Sequence, residues 1–261
     1  MGKLVNKVEI LKRDFETPPA SMNWREKLSI TSKDESVQIL IVGSGMLARE
    51  LFENLKGGRI KSVISWAKRD EVWAGRRIVV HAGSGREMAQ VVSFCADHRL
   101  VLVELSTRGS LDKINPSFPI VLCPNTNVLM LKFMAMIQSH GHLFSEYKKE
   151  VIESHQSNKK SEPGTAINIA TSMGLSVSEI ISVRDPQDQE RRLGIPAEHL
   201  LRHAYHKIRI TDGHVGIVLE SKVLGHAPYA SGLGKIIEAI CDQNLSPGKH
   251  DVLELIQNGW L

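Results

Sequence analysis

Ile39-Leu40-Ile41-Val42-Gly43-Ser44-Gly45-Met46-Leu47-Ala48-Arg49 is the stretch on which the reading of this chain turns. Four consecutive apolar residues run into a glycine, the pattern of a strand buried on both faces of a parallel sheet. Residues 46–55 then place Leu47, Leu51 and Leu55 on one helical face. Between strand and helix lies Gly-x-Gly-x-x-Ala. The first glycine permits the tight turn, the second lets backbone approach a pyrophosphate, and the small third residue lets helix and strand pack closely. Free N–H groups at the helix start complete an anion site. In this context the loop predicts dinucleotide binding through Gly43, Gly45, Met46 and Leu47. A purely structural turn is the alternative.

Working outward, apolar runs at 60–66, 77–80, 100–105 and 118–122 predict further strands, and 87–97 predicts a helix. Strands alternating with helices mean a parallel α/β sheet with right-handed crossovers. Loops at the carboxyl edge of such a sheet hold ligands. They supply further cofactor candidates in Gly83 and Ser84, in Ser106 and Thr107, and in Asn125. Helix capping by Ser84, Ser110 and Asn125 is the competing reading. The second strand ends Ser65-Trp66-Ala67-Lys68-Arg69, without the acid that would bind a ribose 2′-hydroxyl. Lys68 and Arg69 there suit a 2′-phosphate, or form a solvated basic turn.

Residues 125–142 predict a long helix, apolar on nearly all sides and so buried between two layers. After it the pattern changes. Strands are expected at 150–154, 179–183, 203–211 and 214–224, the last two joined by an Asp212-Gly213 hairpin. Helices are expected at 165–173, 229–241 and 251–257. The fold class read from this order is α/β: an N-terminal Rossmann domain with a parallel sheet, then a C-terminal α+β domain with a mixed sheet. The expected divisions are an extension at 1–36, a dinucleotide-binding domain at 37–124 completed by 229–261, and a substrate-binding and oligomerisation domain at 125–228.

Composition sets limits. Of the 261 residues 42% are hydrophobic and 24% charged, which is globular. A net charge of +4, from 33 basic and 29 acidic residues, argues against a nucleic-acid or membrane-surface protein, though it would mildly favour anionic ligands. Cys95, Cys123 and Cys241 form no metal or disulfide pattern, so a reducing cytoplasm is the expected setting. The N-terminus has no long apolar run for a signal peptide. Residues 128–137 are too short to span a bilayer and contain Lys132. His199, His203, His206 and His214 suggest no metal site: His203 and His206 should fall on opposite faces of a strand, and no carboxylate or cysteine completes a set.

The most specific stretch is Glu153-Ser154-His155-Gln156-Ser157-Asn158-Lys159-Lys160-Ser161-Glu162-Pro163-Gly164-Thr165-Ala166. It resembles the signature of dihydrodipicolinate reductases, in which a strand ending E-x-H-H leads through K-x-D-A-P-S-G-T-A into a helix. Residues 43–49, the turn at 106–109, Asn125 before a long helix, and Gly225-His226-Ala227-Pro228-Tyr229-Ala230-Ser231-Gly232 follow the same family order. The resemblance implies an NADPH- or NADH-dependent reductase of a small cyclic imine carboxylate, acting in lysine biosynthesis through diaminopimelate precursors. It implies a homo-oligomer, a tetramer by family likeness. His155 and Lys159 correspond to the family's catalytic histidine and lysine. Gln156, Lys160, Gly164 and Thr165 fall on substrate-binding positions, and His226 on a cofactor-facing one. There are departures: Gln156 replaces a second histidine, His226 an arginine, and Pro163 runs directly into Gly164 where the family has a serine between. Two other readings follow from them. One is a nucleotide-binding, catalytically weakened relative with a regulatory or structural role. The other is a dehydrogenase of another amino or hydroxy acid.

Overall fold

The computed structural model describes residues 36–106, 111, 114–159, 162–225 and 228–261; the expected extension up to residue 35, and the candidates Thr107, Ser110, Lys160 and His226, lie outside them. Strand β1 (Val37–Val42) is buried along its whole length and sits inside a six-stranded sheet. Its neighbours are β2 (Ile60–Ser65) and β3 (Arg76–His81), followed outward by β4 (Val101–Glu104), β5 (Pro119–Leu122) and β10 (Gly248–Asp251). All the pairings are parallel. Helices α1 (Met46–Asn54) and α2 (Met88–His98) connect the early strands. Strand β10 was not expected. Gly-Lys-His-Asp has no apolar residue, and an edge strand pairing on one side needs none.

The second sheet has the order β7-β6-β8-β9. It comprises β6 (Lys148–His155), β7 (Ile180–Val183), β8 (Ala204–Thr211) and β9 (Gly216–Val223), with β6 and β7 parallel and the other pairs antiparallel. The hairpin between β8 and β9 turns through four residues rather than two. Asp212 Oδ1 accepts from the backbone N–H groups of His214 and Val215, so the strand begins at Gly216, later than expected.

Helix α3 (Val128–His140) starts where the Asn127 side chain accepts from the Met130 N–H at 3.0 Å. It packs against α4 (Gly164–Ser172) of the second sheet and against α6 (Ala230–Asp242) and α7 (Val252–Gln257). One apolar core therefore runs from Ile39 and Ile41 through Leu131 to Val151, Ile169 and Ile208. The helix is not buried on all sides, since Leu129 and Met136 face outward. A second tie is Glu50, buried on α1. Its Oε1 accepts from the N–H groups of Tyr229 (2.9 Å) and Ala230 (3.1 Å) at the start of α6, and its Oε2 pairs with Arg202. The carboxylate satisfies two N–H groups that a helix start otherwise leaves open. Helix α5 (Pro186–Leu193) was also unexpected, although Asp185 as N-cap, Pro186 in the first turn and Gly194 just past the end are ordinary helix boundaries.

Candidate active site

Gly43 has φ of 127°, and a Cβ there would lie 2.6 Å from the Ala82 carbonyl oxygen, so the turn requires glycine on both counts. At Gly45, which precedes α1, a Cβ would meet nothing within 4 Å. That open flank against a helix N-terminus fits a pyrophosphate. Ala48 is fully buried, as the close helix-to-sheet packing demands. Met46 is largely exposed beside the loop, and Leu47 half-buried.

Lys68 and Arg69 stand at the end of β2, in and just after a single helical turn (Trp66–Lys68). Lys68 Nζ lies 3.5 Å from Glu71. The Arg69 guanidinium stacks on the Trp66 ring at 5.0 Å and reaches Asp70 at 3.8 Å. Both are exposed enough to be recruited by an anion, and both already have acidic neighbours.

The competing cap reading fails where it can be checked. Ser84 accepts from Arg86 Nε at 3.0 Å and does not cap α2. Asn127, not Asn125, caps α3. Asn125 Oδ1 instead accepts from the Asn127 N–H at 2.8 Å, while its Nδ2 donates to Thr165 Oγ1 at 3.2 Å. Thr165 is in turn not an N-cap, because α4 begins one residue earlier at Gly164. Beneath these loops lies a pair that sequence reasoning missed. His81 is fully buried at the end of β3, with Nδ1 2.9 Å from Glu104 Oε1 at the end of β4. The same oxygen accepts from the Ser106 N–H at 2.7 Å and so shapes the next loop.

At the end of β6, Glu153 and His155 project from the same face, two residues apart. His155 Nδ1 is 2.7 Å from Glu153 Oε2. The other Glu153 oxygen accepts from Arg184 Nη2 and from Ser182 Oγ, each at 2.5 Å. Burial pushes the Glu153 carboxyl up, but the hydrogen bonds from His155, Arg184 and Ser182 outweigh it and hold it down at about 2. An ionised Glu153 accepts from Nδ1–H of His155. That tautomer leaves Nε2 as the ring atom able to address a ligand. Helix α5 serves this strand end: Gln189, fully buried, donates from Nε2 to the His155 carbonyl at 2.7 Å and to the Val183 carbonyl at 3.2 Å.

Lys159 follows on the loop into α4, its N–H bonded to the Gln156 carbonyl at 3.0 Å. Burial pulls its ammonium below the ordinary lysine value, Glu153 opposes the fall and Arg184 adds to it. The fold thus brings His155, Lys159 and the half-buried Gln156 onto one strand end, with Gly164 and Thr165 opening the next helix. Glu153 lay inside the motif. Ser182 comes from β7, Arg184 immediately follows that strand and Gln189 comes from α5, and none carried a local signal. Among the described residues no group of three or more His, Cys, Asp or Glu is arranged to hold a metal, and no helix is long and apolar enough to cross a membrane.

No protein-family model matches the chain. A rice protein named probable 4-hydroxy-tetrahydrodipicolinate reductase 1, chloroplastic (Oryza sativa subsp. japonica) is 32% identical over 157 residues, 53% of this chain and 45% of that one. The 4-hydroxy-tetrahydrodipicolinate reductase of Methanococcoides burtonii is 27% identical over 218 residues, covering 77% and 75%. The chain therefore spans less than half the length of the plant relatives it matches. Among solved structures, the dipicolinate-bound dihydrodipicolinate reductase from Paenisporosarcina sp. TG-14 superposes with a TM-score of 0.60 at 14% identity, over 85% of this chain and 99% of that one, which is a likeness of fold. Taken with the order of motifs along the sequence, these comparisons show that the chain is similar to dihydrodipicolinate reductases over much of its length.

Proposed function

We propose that the chain is a nicotinamide-dependent reductase of a small cyclic imine carrying a carboxylate. The observation that carries this reading is the Glu153–His155 pair, clamped by Arg184 and standing beside Lys159 at the end of β6. The relatives named above are reductases of such a compound.

The open flank at Gly45 and the start of α1 would hold the dinucleotide pyrophosphate. Lys68 and Arg69 would favour NADPH over NADH. A nicotinamide bound there supplies hydride to the imine carbon. This chain's residues do the rest. Lys159, a compact cation, pairs with a substrate carboxylate, helped by the N–H groups at the start of α4 and by Thr165. His155 carries a proton at Nε2 towards the nitrogen being reduced, while Glu153 stabilises the protonated ring. Gln156 hydrogen-bonds but donates no proton of its own near neutral pH. In the same reading the chain is a homo-oligomer. Among the described residues β9 is an edge strand, with Ile217 and Val218 exposed, a surface suited to a second copy.

Steady-state oxidation of NADPH and NADH tests the proposal against a panel of cyclic imines, the lysine-pathway imine among them. Turnover on an imine carboxylate is expected. Tight dinucleotide binding with no turnover on any imine would replace this reading by the catalytically weakened one, which the substitution at Gln156 favours.

A further inference from the structure

His206 is the buried titratable group nearest the proposed chemistry that the mechanism leaves unused. It lies opposite Glu153 in the β6–β8 register, on the face that also carries His155, whereas His203 hydrogen-bonds Ser154 on the other face at 2.9 Å. Its side chain is almost wholly enclosed, the residue being 2% exposed. Its Nδ1 is 3.4 Å from Ser221 Oγ on β9, and its Nε2 has no hydrogen-bond partner among the described residues. The ring stands against that of His155, with centroids 5.8 Å apart and planes at 79°. An unsatisfied buried nitrogen costs stability, a penalty that an apolar side chain would avoid.

We propose that His206 is the positioning residue for His155: its ring, packed edge-to-face, holds the His155 imidazole in the one orientation that keeps Nδ1 on Glu153 and leaves Nε2 for the substrate. The other constraints on His155 do not suffice. Gln189 fixes its carbonyl and Glu153 its Nδ1. Arg184 and Ser182 stop Glu153 from following a swinging ring. Rotation of the imidazole out of line is what remains, and the His206 ring lies against the His155 ring edge-on. Three ionisable groups act on His206: His155 and Glu153 from β6, and Lys159 from the loop. Burial first, then His155, depress its pKa to about 3, with Glu153 opposing and Lys159 reinforcing the fall. The neighbouring ring therefore stays neutral and does not compete for the proton that His155 carries. Its consequence for turnover rests on the reductase reading; the orientation of His155 does not.

The test joins histidine side-chain ¹H–¹⁵N NMR of the full chain to kinetics of His206→Ala, His206→Phe and His206→Leu. In wild type His155 should give one set of ring signals, with Nδ1 protonated and bonded to Glu153. In His206→Ala and His206→Leu those signals should broaden or average between tautomers. His206→Phe, which keeps the ring plane, should restore them. With turnover present, His206→Ala and His206→Leu should lower kcat about tenfold, with KM for cofactor within twofold, and His206→Phe should recover most of the loss. Unchanged His155 signals in the leucine variant, or a phenylalanine variant as poor as leucine, would overturn the proposal. The leucine and phenylalanine pair decides it even if alanine does not fold. Wild type without turnover would sink the reductase reading alone, leaving the NMR result to judge the orientation.

Discussion

Asn125 Nδ2 donates to Thr165 Oγ1 at 3.2 Å, so the loop that leaves the parallel sheet after β5 is tied to the first turn of α4. The same amide accepts from the Asn127 N–H that precedes α3. One side chain thereby connects the carboxyl edge of the first sheet to the helix that follows Lys159. Asn125→Asp keeps the acceptor for Asn127 and removes the donor to Thr165. It should cost about 1 kcal/mol of stability and raise the substrate KM severalfold with little change in cofactor affinity. Urea unfolding and steady-state kinetics check both halves; an unchanged KM would show that the bridge is structural alone.

The two glycines of the nucleotide loop should separate on mutation. Gly45→Val should fold, because nothing stands within 4 Å of the added Cβ, and should lose dinucleotide binding, because the side chain fills the open flank. Gly43→Ala should instead damage folding, since its Cβ meets the Ala82 carbonyl. Calorimetric titration with NADPH and NADH, beside thermal melts, measures the contrast. A folded Gly45→Val variant with wild-type affinity removes the cofactor assignment.

Replacing Lys68 and Arg69 together by alanine should weaken NADPH more than NADH. The expected difference is modest, because Glu71 and Asp70 already neighbour these cations. Equal losses for the two cofactors would mean that the pair only decorates the surface.

Lys159→Ala should preserve cofactor affinity and lower kcat/KM by roughly two orders of magnitude or more, the scale of a lost acid or substrate-orienting charge. The companion variant Gln156→His restores a titratable group next to His155. It should raise turnover on the lysine-pathway imine if that is the natural substrate. A Lys159→Ala enzyme with wild-type rates would remove the role given to this lysine.

Acid stability should fall in two stages. A buried neutral histidine refuses a proton that the unfolded chain takes up. His206, depressed from its ordinary 6.5 to about 3, therefore contributes stability that is complete above 6.5 and shrinks as pH drops towards 3. Glu153, lowered from 4.5 to about 2, contributes stability that is complete above 4.5 and is lost as pH falls towards 2. Urea unfolding as a function of pH should show His206→Phe flattening the first stage, by up to about 1.4 kcal/mol per pH unit. Glu153→Gln should act on the second stage only. A wild-type profile that is level down to pH 4 would contradict the first stage.

How much of this was legible beforehand depended on whether a signal was local. The run from Ile39 to Ala48 specified a buried strand, a turn and a helix by period and glycine placement, and the second sheet announced itself through the strand ending at His155. Both patterns arise from neighbours in the chain, so they can be read there. Strand β10 could not, because Gly248–Asp251 becomes a strand only when β5 offers it an edge. Helix α5 has ordinary boundary residues in Asp185, Pro186 and Gly194, but its polar sequence shows no apolar stripe. The motif placed His155 and Lys159; it said nothing of Arg184, Ser182, Gln189 or His206, which reach the same strand end from β7 and the residue after it, α5 and β8. The sequence by itself determined a glycine turn between a buried strand and a helix, and the motif ending at His155 and Lys159, because those are short-range patterns of backbone freedom and side-chain chemistry. Only the tertiary structure decided the surroundings of His155, because hydrogen bonds, burial and pKa depend on distances between strands that the chain order does not contain.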